Sequence, residues 1–193
     1  MKKVFGLFLM SVCAVGMMTA AFAKEKKVPV SAVPVVSAIA GEYYTQCNIW
    51  YTKADAIAVT NYHEGTLLPV NSKFKVTQVN EKEIVFEDID SGTPLKILNV
   101  PKHNKFTMQK YFENYFGKKK LDLGKFTKEE KAAIIAGTVN VGMHKGAVLA
   151  AYGYPPSHAT PDLRSTQWKY WVSRAGNFAV NFDLKGVVAS VED

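Results

Sequence analysis

The chain has 193 residues, is 48% hydrophobic and carries a formal charge of +7, with 24 Lys and Arg against 17 Asp and Glu. That length suits one sizeable domain or two small ones, and two is our reading. Only Arg164 and Arg174 are arginines and no basic groove shows in the pattern, which argues against a nucleic-acid binder.

Residues 1–23 read as a secretory signal peptide: Lys2 and Lys3, an apolar run from Val4 to Met18, and Ala21-Phe22-Ala23 as the small-x-small cleavage site. The run is too short, and too soon followed by Lys24, to be a membrane anchor. The expected location is therefore the periplasm or the exterior. The competing reading is an outer-membrane lipoprotein attached through Cys13, against which Met10-Ser11-Val12 lacks the usual Leu and the small residue next to Cys. Cleavage lowers the charge from +7 to +5 and leaves Cys47 as the lone cysteine, so no internal disulfide is expected. Cys47 reads as a buried small hydrophobe rather than a reactive thiol.

Residues 24–41 are a proline-broken extended linker. From Glu42 to Asn104 the pattern is one of short strands: Asn48–Thr52, Ala56–Thr60, Ser72–Val79, Ile84–Asp88 and Pro94–Val100, with turns at Asn71-Ser72, Asn80-Glu81 and Asp90-Ser91-Gly92. Phe74 and Val76 alternate with Lys73, Lys75 and Thr77, as in a small antiparallel barrel wet on one side. The stretch Gly65-Thr66-Leu67-Leu68-Pro69-Val70-Asn71-Ser72-Lys73-Phe74-Lys75-Val76 resembles the opening of bacterial SH3-like barrels, in which a Pro-centred turn precedes a strand. About five short strands also describe several other small barrels.

Residues 105–120 hold an amphipathic helix over Phe106 to Phe116, with Met108, Tyr111, Phe112, Tyr115 and Phe116 on one face. Packed between two domains it is a connector. The sharper alternative is a peripheral membrane contact, in which Lys118, Lys119 and Lys120 meet anionic lipid beside the aromatics.

Residues 121–193 form the stretch around which the rest is organised. Thr127 and Glu130 make a capping box that starts a helix ending at Gly137. A second helical segment, Val141 to Gly153, puts Val148, Ala151 and Tyr152 on one face, and Pro155-Pro156 prevents its continuation. After a polar loop from Ser157 to Thr166 the period becomes two. Trp168, Tyr170 and Val172 share a face, then Phe178, Val180 and Phe182, then Val187, Ala189 and Val191, with short turns that force antiparallel neighbours.

The run Gly142-Met143, Val148, Gly153-x-Pro155, Trp168-x-Tyr170-Trp171 and Val180-x-Phe182-Asp183-x-x-Gly186-x-Val188 resembles the SmpA/OmlA (BamE-type) domain, whose architecture is shared with beta-lactamase-inhibitor-type modules. The resemblance covers about the last third of the chain. It implies a helix pair on a three-stranded antiparallel sheet and a role in binding other envelope proteins. His144 stands where the family usually has a capping Ser or Thr, and Tyr152 where it usually has Leu. The expected fold is thus α+β: an SH3-like β domain, a connecting helix and a BamE-like domain.

No catalytic set emerges. His63, His103, His144 and His158 are not at metal-ligand spacing on any predicted element. Cys47 with His63 or His103 is the one pair that folding can convert into a nucleophilic site, although nothing around Cys47 lowers its pKa. Glu87, Asp88 and Asp90 read as a solvated turn rather than a calcium loop or an acid-base pair. No cofactor or metal is expected. Trp171, with Lys169, lies on the polar face of its strand and is the expected partner-binding anchor, with Tyr154 a second candidate. The expected function is a non-enzymatic adaptor or accessory factor in envelope assembly. The alternative is a secreted inhibitor or a peptidoglycan-binding protein.

Overall fold

The computed structural model describes residues 39–60 and 62–193. The expected signal peptide, the Cys13 alternative and nearly all of the linker fall outside the described residues. The described chain is mixed α+β and contains a curled six-stranded sheet, three α-helices and a three-stranded antiparallel sheet.

The first half contains β1 (Gly41–Thr45), β2 (Ile49–Tyr51), β3 (Ile57–Ala58), β4 (Thr66–Leu68), β5 (Lys73–Val79), β6 (Glu83–Asp88), β7 (Pro94–Leu98), α1 (Met108–Tyr115) and β8 (Phe116–Gly117). The six-stranded sheet runs β3-β7-β6-β5-β1-β8; β3 joins β7 in parallel and the other pairs are antiparallel. The remaining two strands, β2 and β4, form a separate antiparallel ribbon.

Four of these strands, β2, β3, β5 and β7, lie within the segments expected from the sequence, and β6 begins one residue earlier than expected, at Glu83. The alternation slips once, in β5: Phe74, Val76 and Val79 are all buried although an even period would place Gln78 inward. A bulge between Val76 and Gln78 adds the residue that resets the phase. β1, β4 and β8 are strands that the pattern did not announce.

Helix α1 begins where the Thr107 side chain accepts from Lys110 N, 3.1 Å away. Its Met108, Tyr111, Phe112 and Tyr115 are buried in the same core as Phe74, Phe86 and Ile97. The helix is therefore part of the first core, and its aromatic face is covered by protein. Of the three lysines that follow, Lys118 places Nζ 3.6 Å from the centroid of the Tyr43 ring, and Lys120 lies over Tyr44.

The second half contains α2 (Lys128–Ala136), α3 (Lys145–Tyr152), β9 (Gln167–Trp171), β10 (Asn177–Phe182) and β11 (Val188–Glu192), with sheet order β11-β10-β9. The expected capping box is present: Thr127 Oγ1 accepts from Glu130 N at 3.1 Å, and Glu130 Oε2 accepts from Thr127 N at 3.0 Å. The helix ends at Gly137, whose φ of 67° is left-handed. That glycine also lets Trp50 approach, since a Cβ there would lie 2.8 Å from the indole Cζ2.

A second core joins Ile134, Ala147, Val148 and Ala151 of the helices to Trp168, Tyr170, Val180 and Phe182 of the sheet. The facing predicted for β9 and β10 is the observed one for these residues. The phase of the third strand requires correction: the inward residue is Val188, not Val187 and Ala189. A register shift opposite Asn181 and Phe182 moves it, so that Val180 faces Val191 while Phe182 faces Val188.

His144 is the N-cap of α3 and its side chain makes no capping bond. Glu130 of α2 serves in its place across the helix pair. Its Oε1 accepts from His144 N at 2.8 Å and lies 2.9 Å from His144 Nδ1. Burial works to raise the Glu130 carboxyl, but the His144 and Thr127 amides and the His144 ring outweigh it and hold the group below its ordinary value.

Candidate functional site

The two halves meet at the C-terminus of α3, and the seam is built from helix-end chemistry. A helix leaves its last four carbonyls without intrahelical partners. Here each finds a donor: Leu149 O accepts from Gly153 N at 2.9 Å, Ala150 O from Asn48 N at 3.0 Å, and Ala151 O from Asn48 Nδ2 at 3.0 Å. The fourth, Tyr152 O, lies 2.7 Å from His63 Nε2. Three of the four donors come from Asn48, just before β2, and His63, between β3 and β4.

Asn48 does more. Its second Nδ2 hydrogen is donated to Ile134 O near the end of α2, at 2.6 Å, and its Oδ1 accepts from Val70 N at 2.7 Å. One buried amide therefore ties both helices to the first half.

Tyr152 O accepts the Nε2 hydrogen of His63, so the neutral ring carries its lone pair on Nδ1. That nitrogen is out of contact with solvent and has no hydrogen-bond partner among the described residues. The imidazole stacks on Tyr152, with centroids 3.4 Å apart and planes inclined by 15°. Burial pushes its pKa down to about 4, against the opposing pull of the Tyr152 and Trp171 carbonyls. Beside it lies a water-sized cavity of about 30 Å³, also lined by Trp50, Tyr115, Tyr154 and Tyr170. Trp50 Nε1 is likewise buried without a partner among the described residues. The chain leaves α3 at Gly153 with φ 80° and ψ −173°, a conformation close to glycine-only, and Gly153 O accepts from Tyr170 Oη at 3.0 Å.

On the outer side of the seam is an open depression of about 410 Å³, lined by Tyr62, Lys102 and His103 from the first half and His158, Trp171 and Arg174 from the second. His158 Nδ1 lies 3.1 Å from His103 O, and the two rings are 4.9 Å apart. The next ring, Trp171, is 5.2 Å from His158, and Lys169 Nζ stands 5.3 Å from the indole centroid. Among the described residues no carboxylate belongs to this lining.

Of the three residues singled out from the sequence, Trp171 and Tyr154 both line the small cavity beside His63, and Trp171 also borders the outer depression. Trp171 and Lys169 meet on this outer rim, where Trp171 is half-buried and Lys169 exposed. Tyr154 lies on the inner side, half-buried against the first core, with its N–H donating to Tyr115 Oη at 3.2 Å. Tyr62, Lys102, His103, His158 and Arg174 escaped sequence reasoning because they come from four separate loops and share no spacing. Their only advance signal was that each lies in a turn-rich polar segment.

Cys47 is 1% exposed and sits in the first core, where burial pushes its thiol well above the ordinary range. Its neighbours in that field are Tyr111, Tyr115, Tyr154 and Tyr170. A thiol so placed reacts only when the core opens. We expect a maleimide to leave Cys47 unmodified in the native protein and to modify it fully in denaturant, as read by peptide mass; rapid native labelling would show that the core opens between β1 and β2. Among the described residues no three His, Cys, Asp or Glu side chains converge as a metal site. Asp88 and Asp90 are linked by a local turn, with Asp88 Oδ1 accepting from Asp90 N at 3.0 Å.

Comparison of the chain with protein-family models, with curated proteins and with solved structures gives no match.

Proposed function

We propose that this protein is an exported, non-enzymatic adaptor or accessory factor of the cell envelope, in which an SH3-like module and a BamE-like module present a shared contact surface. The observation that carries the reading is the rim formed by Trp171, Lys169 and Arg174. A large aromatic flanked by cations at the junction of two cores is a suitable anchor for a partner, because it combines apolar area with charge selection. The leader-like residues 1–23 and the ordered C-terminal pattern support envelope residence.

The test is photo-crosslinking in cells from a benzophenone amino acid placed at position 175, in the exposed turn after β9, which leaves Trp171 in place. A discrete adduct with one envelope protein, lost on competition with unlabelled wild-type protein but not with a Trp171→Ala variant, is expected. Absence of any adduct, or equal competition by the variant, counts against the adaptor. The open cation-lined depression favours a second reading, that of a cell-wall ligand binder. Co-sedimentation with purified peptidoglycan separates the two, since the adaptor stays in the supernatant.

A further inference from the structure

The depression beside Trp171 has a charge pattern that protein contact alone does not require. Lys102 and Arg174 are permanent cations on its wall, the His103 imidazole can donate, His158 spends its Nδ1 hydrogen on His103 O, and no acid among the described residues shares the lining. The local field is positive at His103: burial, then the charges of His158, Lys102 and Lys105, lower its pKa. An anion entering here relieves that repulsion.

The donors are distributed over a loop and a hairpin rather than paired in one fork. A carboxylate is saturated by a single guanidinium, whereas a phosphate monoester offers three oxygens and nearly two charges to donors arriving from several sides. The space is also too large for a phosphate alone. Tyr62, 38% exposed, supplies a flat apolar wall on one side. An open depression of this kind suits one or two rings rather than an extended polymer.

We propose that the depression is a binding site for a phosphorylated sugar, its phosphate held among Lys102, His103 and Arg174 and its ring laid against Tyr62. The site exists only where the two halves meet, so it reports their docking. It does not depend on a protein partner, and the crosslinking experiment can fail while this site stands.

The test is titration of the folded full-length protein with glucose 1-phosphate, followed by amide and indole NMR shifts. Glucose, inorganic phosphate, glucuronate and phosphoserine serve as comparison ligands. Saturable shifts at Tyr62, His103 and Trp171 are expected, with glucose 1-phosphate bound at least tenfold more tightly than each comparison ligand. The Lys102→Ala, Arg174→Ala double variant should weaken it at least tenfold. A Tyr62→Ala variant should reduce it to the level of inorganic phosphate. Raising salt from about 50 to about 500 mM should weaken binding severalfold. The proposal is overturned if no shift saturates or if the double variant binds unchanged. It is equally overturned if inorganic phosphate, glucuronate or phosphoserine binds as well as the sugar phosphate, because the site then recognises an anion without its ring or phosphate. Unchanged native spectra of the variants away from the depression exclude unfolding as the cause of a loss.

Discussion

Replacing Asn48 with alanine is expected to destabilise the protein by about 3–5 kcal/mol, because each buried polar group left without a partner costs about 1–3 kcal/mol. The substitution removes donors from Ile134 O and Ala151 O and the acceptor of Val70 N, and no water has easy access to a side chain only 3% exposed. Ile134 O retains a second bond from Gly137 N at 3.2 Å, so its loss is the mildest of the three. For a domain of this size the change corresponds to a fall of roughly 10 °C in melting temperature. Asn48→Asp should be no better at neutral pH. A carboxylate can still accept from Val70 but cannot donate to two carbonyls, and it adds a buried charge facing two helix C-termini. Urea denaturation of wild type and both variants measures this directly. A loss below about 1 kcal/mol would mean that the seam repacks around the missing amide, and that Asn48 does not hold it together.

Mild acid is expected to weaken the same seam through His63. In the unfolded chain this imidazole takes its proton near its ordinary value of 6.5, and in the folded protein only near about 4. Between those values the unfolded state binds the proton and the native state does not. Stability attributable to His63 is therefore complete above about pH 6.5 and declines as pH falls towards 4, by an amount on the order of 2–3 kcal/mol. Protonation is resisted because the ring is buried between Tyr152 and Trp50, and that loss of solvation outweighs the pull of the Tyr152 and Trp171 carbonyls. Glu130 adds a second, lower window. Its carboxyl is held below the ordinary range, so its contribution is present above that range and is lost as pH falls through the lowered value. A His63→Gln variant can still donate to Tyr152 O but does not titrate. Its urea midpoint should be nearly flat between about pH 6.5 and 4.5, while that of the wild type falls; parallel curves would remove His63 as the cause.

Much of the fold was legible in the residues. The Thr127 and Glu130 box, the stop at Gly137, the amphipathic face of α1 and the alternation of Trp168 and Tyr170 are local patterns, each satisfied within a few residues of chain. The misses have a common origin. β1, β4 and β8 are short segments whose strand character comes from a neighbour already in place: Gly41 to Tyr44 pairs with β5, Thr66 to Leu68 with β2, and Phe116 with Thr45. The phase error at Val188 and the break of alternation before Val79 are bulges, in which one strand carries a residue more than its partner. No single-strand periodicity contains that information.

Candidate sites were less legible than elements. Trp171 and Lys169 are two residues apart on one strand, so their shared face followed from the period of β9. His103 and His158 are 55 residues apart and meet only when the loop after α3 crosses to the first half. The partners of Asn48 lie 86 and 103 residues away. The amino-acid sequence by itself determined where α2 begins and ends, where α3 stops and which faces of β9 and β10 are apolar, because capping and periodicity act over one or two turns of chain. Only the tertiary structure decided that a lone Asn would cap two helices, that His63 would lose its proton affinity, and that donors from separate loops would gather in one depression. Those outcomes depend on burial and on distances between remote residues, which are fixed when the two cores dock.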